Sequence, residues 1–222
     1  MIKKGDENSS KVNVNESFSD DDLNLFEKIN KKEFEDPELF DLKINGEEIS
    51  RENEIEKLIS EGIIKKNLEY DLPHQTEGAL KILRDLNGTA LLSDEVGLGK
   101  TITAGIILKE CIMRGFIEKV LILTPPSLVN QWREELREKF EIEFKIVEAP
   151  EDWDKVKFGI ASLDRVKLFN RKKGEFKHKR AHEISWDLLI VDEAHKLKSR
   201  NTVRWNFVDK LQKKRFLALT AT

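Results

Sequence analysis

The sequence predicts an α/β fold, a mostly parallel sheet flanked by helices and preceded by an acidic extension. Three observations carry that expectation. From "LEYDLPHQ" onward, short apolar runs alternate with amphipathic helical patterns, the texture of a sheet covered on both faces. The stretch "LLSDEVGLGKTITAGIIL", residues 91–108, sets a Gly-Lys-Thr loop between a strand and a helix. The stretch "WDLLIVDEAHKLKS", residues 186–199, ends an apolar strand on two carboxylates.

Composition bounds the classes. With 39% hydrophobic and 36% charged residues among 222, and a net charge of -3, this is a highly charged globular chain rather than a membrane or wholly disordered one. No apolar run approaches the length of a bilayer span, and no membrane partner is expected. The opening "MIKKGDENSSKVNVNES" has basic residues without an apolar segment after them, so no secretory signal is expected and a cytoplasmic location is. The single cysteine, Cys111, lies in a helical pattern with Ile106, Ile107 and Met113 and reads as a core residue. Charge is uneven: residues 1–60 carry 17 acidic and 9 basic groups, the remaining 162 carry 25 and 30. A mildly basic folded part is compatible with a polyanionic partner.

In chain order, residues 1–20 are too polar to offset their ordering entropy and read as a disordered tail. Residues 21–66 form an acidic accessory region with Leu23, Phe26 and Ile29, then Ile55, Leu58 and Ile59, at helical spacing. The main domain is expected over 67–222. Its strands are expected at 89–93, 120–124, 144–147, 157–161, 188–191 and 216–219, with helices near 74–86, 100–114, 126–140, 162–169 and 199–212. Nothing repeats at a fixed period, which argues against a solenoid.

The loop chemistry follows from residue type. Backbone N–H groups of Gly97, Leu98, Gly99 and Lys100 can wrap phosphate oxygens, because glycine permits close approach and the following helix adds its dipole. Lys100 is placed to reach β- and γ-phosphates, and Thr101 to give a hydroxyl to Mg²⁺. Asp94, however, stands where the general phosphate-loop pattern has its first glycine. The bland alternative is a Gly-rich turn capping a core helix. At the second stretch, Asp192 is suited to Mg²⁺ and Glu193 to orienting and deprotonating an attacking water. Adjacent carboxylates also serve as ordinary helix N-terminal charges.

"DEVGLGKT", "DEAH" and the terminal "LALTAT" resemble motifs I, II and III of the Swi/Snf family of superfamily-two helicase-like ATPases, particularly its bacterial and archaeal RNA-polymerase-recycling branch. Asp94 is the residue this family normally has there. "LILTPPSLVNQWREEL", residues 121–136, resembles motif Ia, and "LPHQ", residues 72–75, the adenine-reading glutamine motif. The resemblance covers about residues 68–222 and implies a RecA-like, helicase-type ATP-binding lobe.

From the resemblance come the expected cofactors, ATP and Mg²⁺, with Gln75 on the adenine edge and Asp94 in the nucleotide site. His195 is implied as a link from the Mg²⁺ site to Thr220 and Thr222. The implied partner is double-stranded DNA, giving a nucleoid-associated location, with RNA polymerase or another DNA-bound complex as a further partner. Pro126 and Ser127 are implied backbone-phosphate contacts, against the alternative of a Ser-capped helix. The run "RKKGEFKHKR", residues 171–180, offers Arg171, Lys172 and Lys173 to DNA, against the alternative of a solvated loop. His74, His178, His182 and His195 lack the pattern of a zinc site.

The sequence stops at Thr222, just after motif III, so the family's second RecA-like lobe is expected to be missing or supplied by a separate chain. Three readings stay open: the ATP-binding lobe of a DNA-dependent ATPase with little hydrolysis of its own, a nucleotide-responsive interaction module without turnover, or a non-functional fragment.

Overall fold

The computed structural model describes residues 55–68, 72–85, 88–93, 99–154 and 156–220. All lie in the second of the chain's two units, residues 49–222. The expected tail and the helix around Leu23, Phe26 and Ile29 lie outside the described residues, as do Asp94, Gly97, Leu98 and Thr222.

The chain enters through α1 (Glu61–Asn67) and α2 (Pro73–Asp85), then alternates β1 (Ala90–Ser93), α3 (Lys100–Met113), β2 (Val120–Thr124), α4 (Val129–Phe140), β3 (Lys145–Val147) and β4 (Phe158–Ser162). A single helical turn, α5 (Leu163–Val166), leads to a hairpin of β5 (Phe169–Asn170) and β6 (Glu175–Phe176), followed by β7 (Trp186–Val191), α6 (Val203–Asp209) and β8 (Lys213–Thr220). Six strands make one parallel sheet in the order β1-β8-β7-β2-β4-β3. The expected α/β class is therefore the observed one, and every expected sheet strand is present.

The continuous apolar runs are explained by a sheet with two buried faces. In β2, Val120 and Ile122 enter one core cluster while Leu121 and Leu123 enter the other. In β7, Leu188 and Ile190 face the first core and Leu189 and Val191 the second. Helices α2, α3 and α4 cover the first face, and α6 covers the second. The chain thus moves outward over one face and returns over the other, as right-handed crossovers require. Because the sheet is parallel, the segments following β1, β2, β4, β7 and β8 all open at one edge, where ligands bind in open α/β sheets. Among the described residues no helix is long and apolar enough to cross a membrane.

Three expected helices differ. The one placed at 162–169 ends at Val166, because Phe169–Asn170 pairs antiparallel with Glu175–Phe176. Asn170 Oδ1 accepts the N–H groups of Lys172 (3.1 Å) and Lys173 (3.3 Å), and Gly174 takes φ +67°, so side-chain turn chemistry overrides the helical spacing. The helix placed at 199–212 starts at Val203, where Thr202 Oγ1 accepts the Trp205 N–H at 3.2 Å.

The third difference is at Ile55, Leu58 and Ile59, where helix begins only at Glu61 and Ile59 is 50% exposed. Here the buried carboxylate of Glu110 on α3 accepts the N–H groups of Ile59 and Ser60 (both 3.0 Å), the Ser60 hydroxyl (2.7 Å) and Arg114 Nε (2.6 Å). Arg114 Nη2 donates to the Lys57 carbonyl at 2.8 Å, and Arg84 donates to the carbonyls of Ile55 and Glu56. Ile55, Leu58, Ile64 and Leu68 join the first-face core. The acidic composition ends near residue 60, yet the packing continues across it into the sheet domain.

Candidate nucleotide and nucleic-acid site

Helix α3 is a fixed platform. Residues 102–111 are all buried, and no acidic side chain occupies the first turn, which leaves the positive helix end open to an anion. Lys100 and Thr101 are its first two residues, and Gly99 precedes them at φ +81°. A Cβ at Gly99 would lie 3.1 Å from Gln75 Nε2 and 3.4 Å from its Cγ, so the glutamine side chain sits directly over the glycine. Gln75 is the third residue of α2, whose first residue, Pro73, fits a helix start because its missing N–H needs no partner there. Two predicted site residues from distant motifs are thereby in contact, and glycine is required between them.

At the end of β7, Asp192 is held on three sides. Its Oδ1 accepts the Glu193 N–H at 2.8 Å, and its Oδ2 accepts Thr124 Oγ1 at 3.1 Å and Trp132 Nε1 at 3.0 Å. Glu193 takes a left-handed backbone, φ 54° and ψ 44°, unusual for a side chain that is neither Gly nor Asn. Its Oε2 lies 3.0 Å from His195 Nδ1, and the same nitrogen is 3.3 Å from Thr220 Oγ1. A carboxylate, an imidazole and a hydroxyl thus run from β7 to β8. Thr220 in turn pairs in register with Ser93, the last residue of β1 before the phosphate-loop segment. The candidate site is assembled at one sheet edge from α2, α3, β7 and β8.

The candidate nucleic-acid residues fall in two places. Pro126 and Ser127 are exposed in a short 3₁₀ turn, Pro126–Leu128, with no side-chain cap, so Ser127 is not a helix-capping serine. Arg171, Lys172 and Lys173 are exposed at the β5–β6 turn, which hangs from the second face through the buried Phe176. Later members of that basic run are paired, Lys179 with Glu175 (2.8 Å) and Arg180 with Asp154 (2.9 Å).

Thr124, Trp132 and Ser162 were not legible as site residues. The spacing of Val129, Trp132, Leu136 and Phe140 marks a buried helix face, and nothing in a linear pattern reveals the indole N–H aimed at Asp192. Ser162 Oγ is buried without a hydrogen-bond partner among the described residues. It lines a cavity of about 230 Å³ with Pro126, Asn130, Glu148, Asp164 and Arg165. Among the described residues no group of three or more histidine, cysteine or acidic side chains is arranged to hold a metal. Mg²⁺ needs no such cage, since it keeps most of its waters and takes one or two protein oxygens. The Thr101 hydroxyl and the Asp192 carboxylate each offer an oxygen of the type that ion takes.

Residues 74–222 match the family model described as the SNF2-related domain. The chain belongs to this family. Its SNF2-related relatives include the uncharacterized ATP-dependent helicase YqhH of Bacillus subtilis, 46% identical over 151 residues, covering 68% of this chain and 26% of that protein. Another is the RNA polymerase-associated protein RapA of Actinobacillus pleuropneumoniae, 37% identical, covering 68% of this chain and 17% of that protein. The chain therefore spans about a quarter or less of these relatives' length. Among solved structures, the SWI2/SNF2 ATPase core of Sulfolobus solfataricus in complex with double-stranded DNA shares the fold, with TM-score 0.59 and 22% identity over 70% of this chain and 33% of that one. The Swi/Snf resemblance read from the motifs is the family found.

Proposed function

We propose that this chain is the Mg-ATP-binding lobe of a duplex-DNA-directed ATPase of the Swi/Snf type. Residues 67–222 form the lobe, 21–66 an accessory region that joins the lobe's core through Ile55, Leu58 and Ile64, and 1–20 a tail. The observation that carries the reading is the joining of four sequence-distant motifs at one sheet edge. Gln75 rests on Gly99 at the mouth of α3, and Glu193, His195 and Thr220 form a hydrogen-bonding chain that ends on β8, in register with the last residue of β1.

In this reading Gln75 holds the adenine, the backbone from Asp94 to Gly99 and the Lys100 ammonium hold the phosphates, and Thr101 and Asp192 hold Mg²⁺. When bound, that ion neutralises charge between the β- and γ-phosphates. Glu193 accepts the proton of the attacking water, for which its unusual backbone places the carboxylate beyond the strand end. His195 passes the position of Glu193 to Thr220, and to Thr222 beyond it. Duplex DNA is contacted through its backbone by Pro126 and Ser127. The orphaned Ser162 hydroxyl shares one cavity with Asn130 and Arg165, whose N–H groups suit an oxygen-rich ligand, and the carboxylates there, Glu148 and Asp164, are ion-paired. Arg171, Lys172 and Lys173 add sequence-independent attraction, so binding weakens steeply with salt. RNA polymerase or another DNA-bound complex is the wider partner, and a second RecA-like lobe, in the same or another chain, completes the catalytic site.

The test is Mg-ATP binding and hydrolysis by the 222-residue chain, with and without duplex DNA, beside Lys100→Ala and Glu193→Gln. The expected result is binding lost in Lys100→Ala, with turnover slower than that of the same chain mixed with a second lobe by roughly 10³ to 10⁵, the usual effect of an arginine supplied to a phosphoryl-transfer site from outside. Binding unchanged in Lys100→Ala refutes the site. Turnover abolished by Glu193→Gln in a mixture with the second lobe, and at background without it, separates a half-motor from a module that only binds.

A further inference from the structure

We propose that Thr124 and Trp132 are positioning residues for Asp192, and that through them the 126–128 turn governs how the site holds its Mg²⁺. The inference rests on the nucleotide-site reading above and adds a regulatory route to it.

Both side chains donate to the same oxygen, Asp192 Oδ2, at 3.1 Å and 3.0 Å, while the backbone of Glu193 holds Oδ1 at 2.8 Å. A carboxylate offers about four lone-pair sites, so three directional donors fix its plane and leave it room for one outward ligand. Thr124 is fully buried and Trp132 is 2% exposed, so neither donor can exchange its partner for water. Asp192 is further tied to β2 by its own N–H, which donates to the Leu123 carbonyl at 2.8 Å.

The two donors flank the exposed turn. Thr124 ends β2 immediately before Pro125, the 3₁₀ turn occupies Pro126–Leu128, and Trp132 lies on the first turn of α4. Pro125 and Pro126 stiffen the connection, since each fixes its own φ. A load on the turn therefore moves Thr124 and Trp132 relative to each other, and both meet on one carboxylate oxygen. The His195–Thr220 chain links the catalytic carboxylate to β8. The pair described here links the metal carboxylate to the opposite neighbour, β2, and to the element proposed to touch DNA.

The experiment measures the Mg²⁺ concentration needed for half-maximal binding of a fluorescent ATP analogue by the 222-residue chain, with the EDTA affinity as reference. Variants are Thr124→Val, which removes the hydroxyl at nearly constant shape, Thr124→Ser, which restores it, and Trp132→Phe. Thr124→Val and Trp132→Phe should raise the Mg²⁺ requirement by roughly 10-fold to 100-fold, the usual effect of losing an outer partner of a metal ligand. The EDTA affinity stays constant, and Thr124→Ser behaves as the wild type. Saturating duplex DNA should shift the Mg²⁺ requirement of the wild type and leave that of Thr124→Val unmoved.

An unchanged requirement in both Thr124→Val and Trp132→Phe overturns the positioning role. Equal losses in Thr124→Ser and Thr124→Val assign the effect to packing and overturn it too. A DNA response absent from the wild type, or equal in Thr124→Val, overturns the link to the turn. Failure of the wild type to bind nucleotide at all is a distinct result, and overturns the site reading together with this inference.

Discussion

Replacing Gly105 by alanine tests whether the position of α3, which begins with Lys100 and Thr101, is set by its contact with α4. A Cβ built on Gly105 would lie 2.2 Å from Phe140 Cε2, 2.5 Å from Cζ and 2.7 Å from Cδ2. Ordinary contact begins near 3.4 Å, so the ring must retreat by more than 1 Å. Phe140 is fully buried, so the ring can retreat only by displacing packed neighbours. Overpacking of this kind costs about 1–3 kcal/mol, with three ring atoms colliding at once placing it at the upper end. Alanine recovers about 1 kcal/mol of helix propensity. The net expectation is a loss of about 2 kcal/mol, a drop of about 1 M in urea midpoint for a slope near 2 kcal/mol/M. Since Lys100 and Thr101 begin the same helix, nucleotide affinity should fall as well. Phe140→Leu added to Gly105→Ala should recover part of the loss, giving a favourable coupling between neighbours. A midpoint equal to or above that of the wild type would show that the helices are not in close approach, and the account of α3 as a fixed platform would fail.

Three further outcomes are expected. Glu110→Gln weakens a charged cluster of donors and should cost about 2 kcal/mol locally, read as faster amide exchange across residues 55–68. Burial pushes the Glu110 carboxyl up, but the Ser60 hydroxyl and N–H, the Ile59 N–H and Arg114 together outweigh it and hold the group below its ordinary range. Its contribution is therefore complete above the unfolded carboxyl pKa of about 4.3 and is lost as pH falls through the lower folded value. His178 and His182 are both depressed chiefly by burial, and His178 Nδ1 accepts the Trp153 indole N–H at 3.0 Å. Stability should be full above the ordinary histidine pKa of about 6.5 and decline below it, and a urea midpoint that does not fall between neutral pH and pH 5.5 would count against this. Burial also pushes the Cys111 thiol up to about 12, so a disulfide reagent at pH 8 should label it only after denaturation, and rapid native labelling would contradict the packing.

The fold was legible because the sheet's two-sided burial writes itself into continuous apolar runs such as Val120–Thr124, and because Gly-Lys-Thr marks a helix start and Asp-Glu-Ala-His a strand end. What stayed hidden was set by partners remote in sequence. Ile55, Leu58 and Ile59 have helical spacing, yet the Glu110 carboxylate, about fifty residues away, takes the N–H groups of Ile59 and Ser60, and the helix starts later. The helix expected at 162–169 yields to the Asn170 turn, a side chain competing locally with the helical backbone. Trp132 reads as a core residue from its period alone, and it is one, but its single polar atom is spent on Asp192.

The geometry around His195 fixes more than proximity, because one nitrogen faces two oxygens of different kinds. Nδ1 is 3.0 Å from Glu193 Oε2 and 3.3 Å from Thr220 Oγ1. An ionised carboxylate can only accept, so an unprotonated Nδ1 would set two lone pairs against each other at 3.0 Å. The proton therefore belongs on Nδ1, shared between the carboxylate and the threonine oxygen, and the Thr220 hydroxyl proton must point away from the imidazole. If nucleotide or water draws Glu193 away, Nδ1 can lose its proton to the Nε2 tautomer, and Thr220 then turns to donate. A displacement of the Glu193 carboxylate thus becomes a reversal of donor and acceptor at the end of β8. Nitrogen chemical shifts of His195 should show Nδ1 protonated in the free chain and redistributed toward Nε2 in Glu193→Ala. Glu193→Gln, which can still offer an acceptor oxygen, should stay nearer the wild type. An unprotonated Nδ1 in the free chain would remove the reversal.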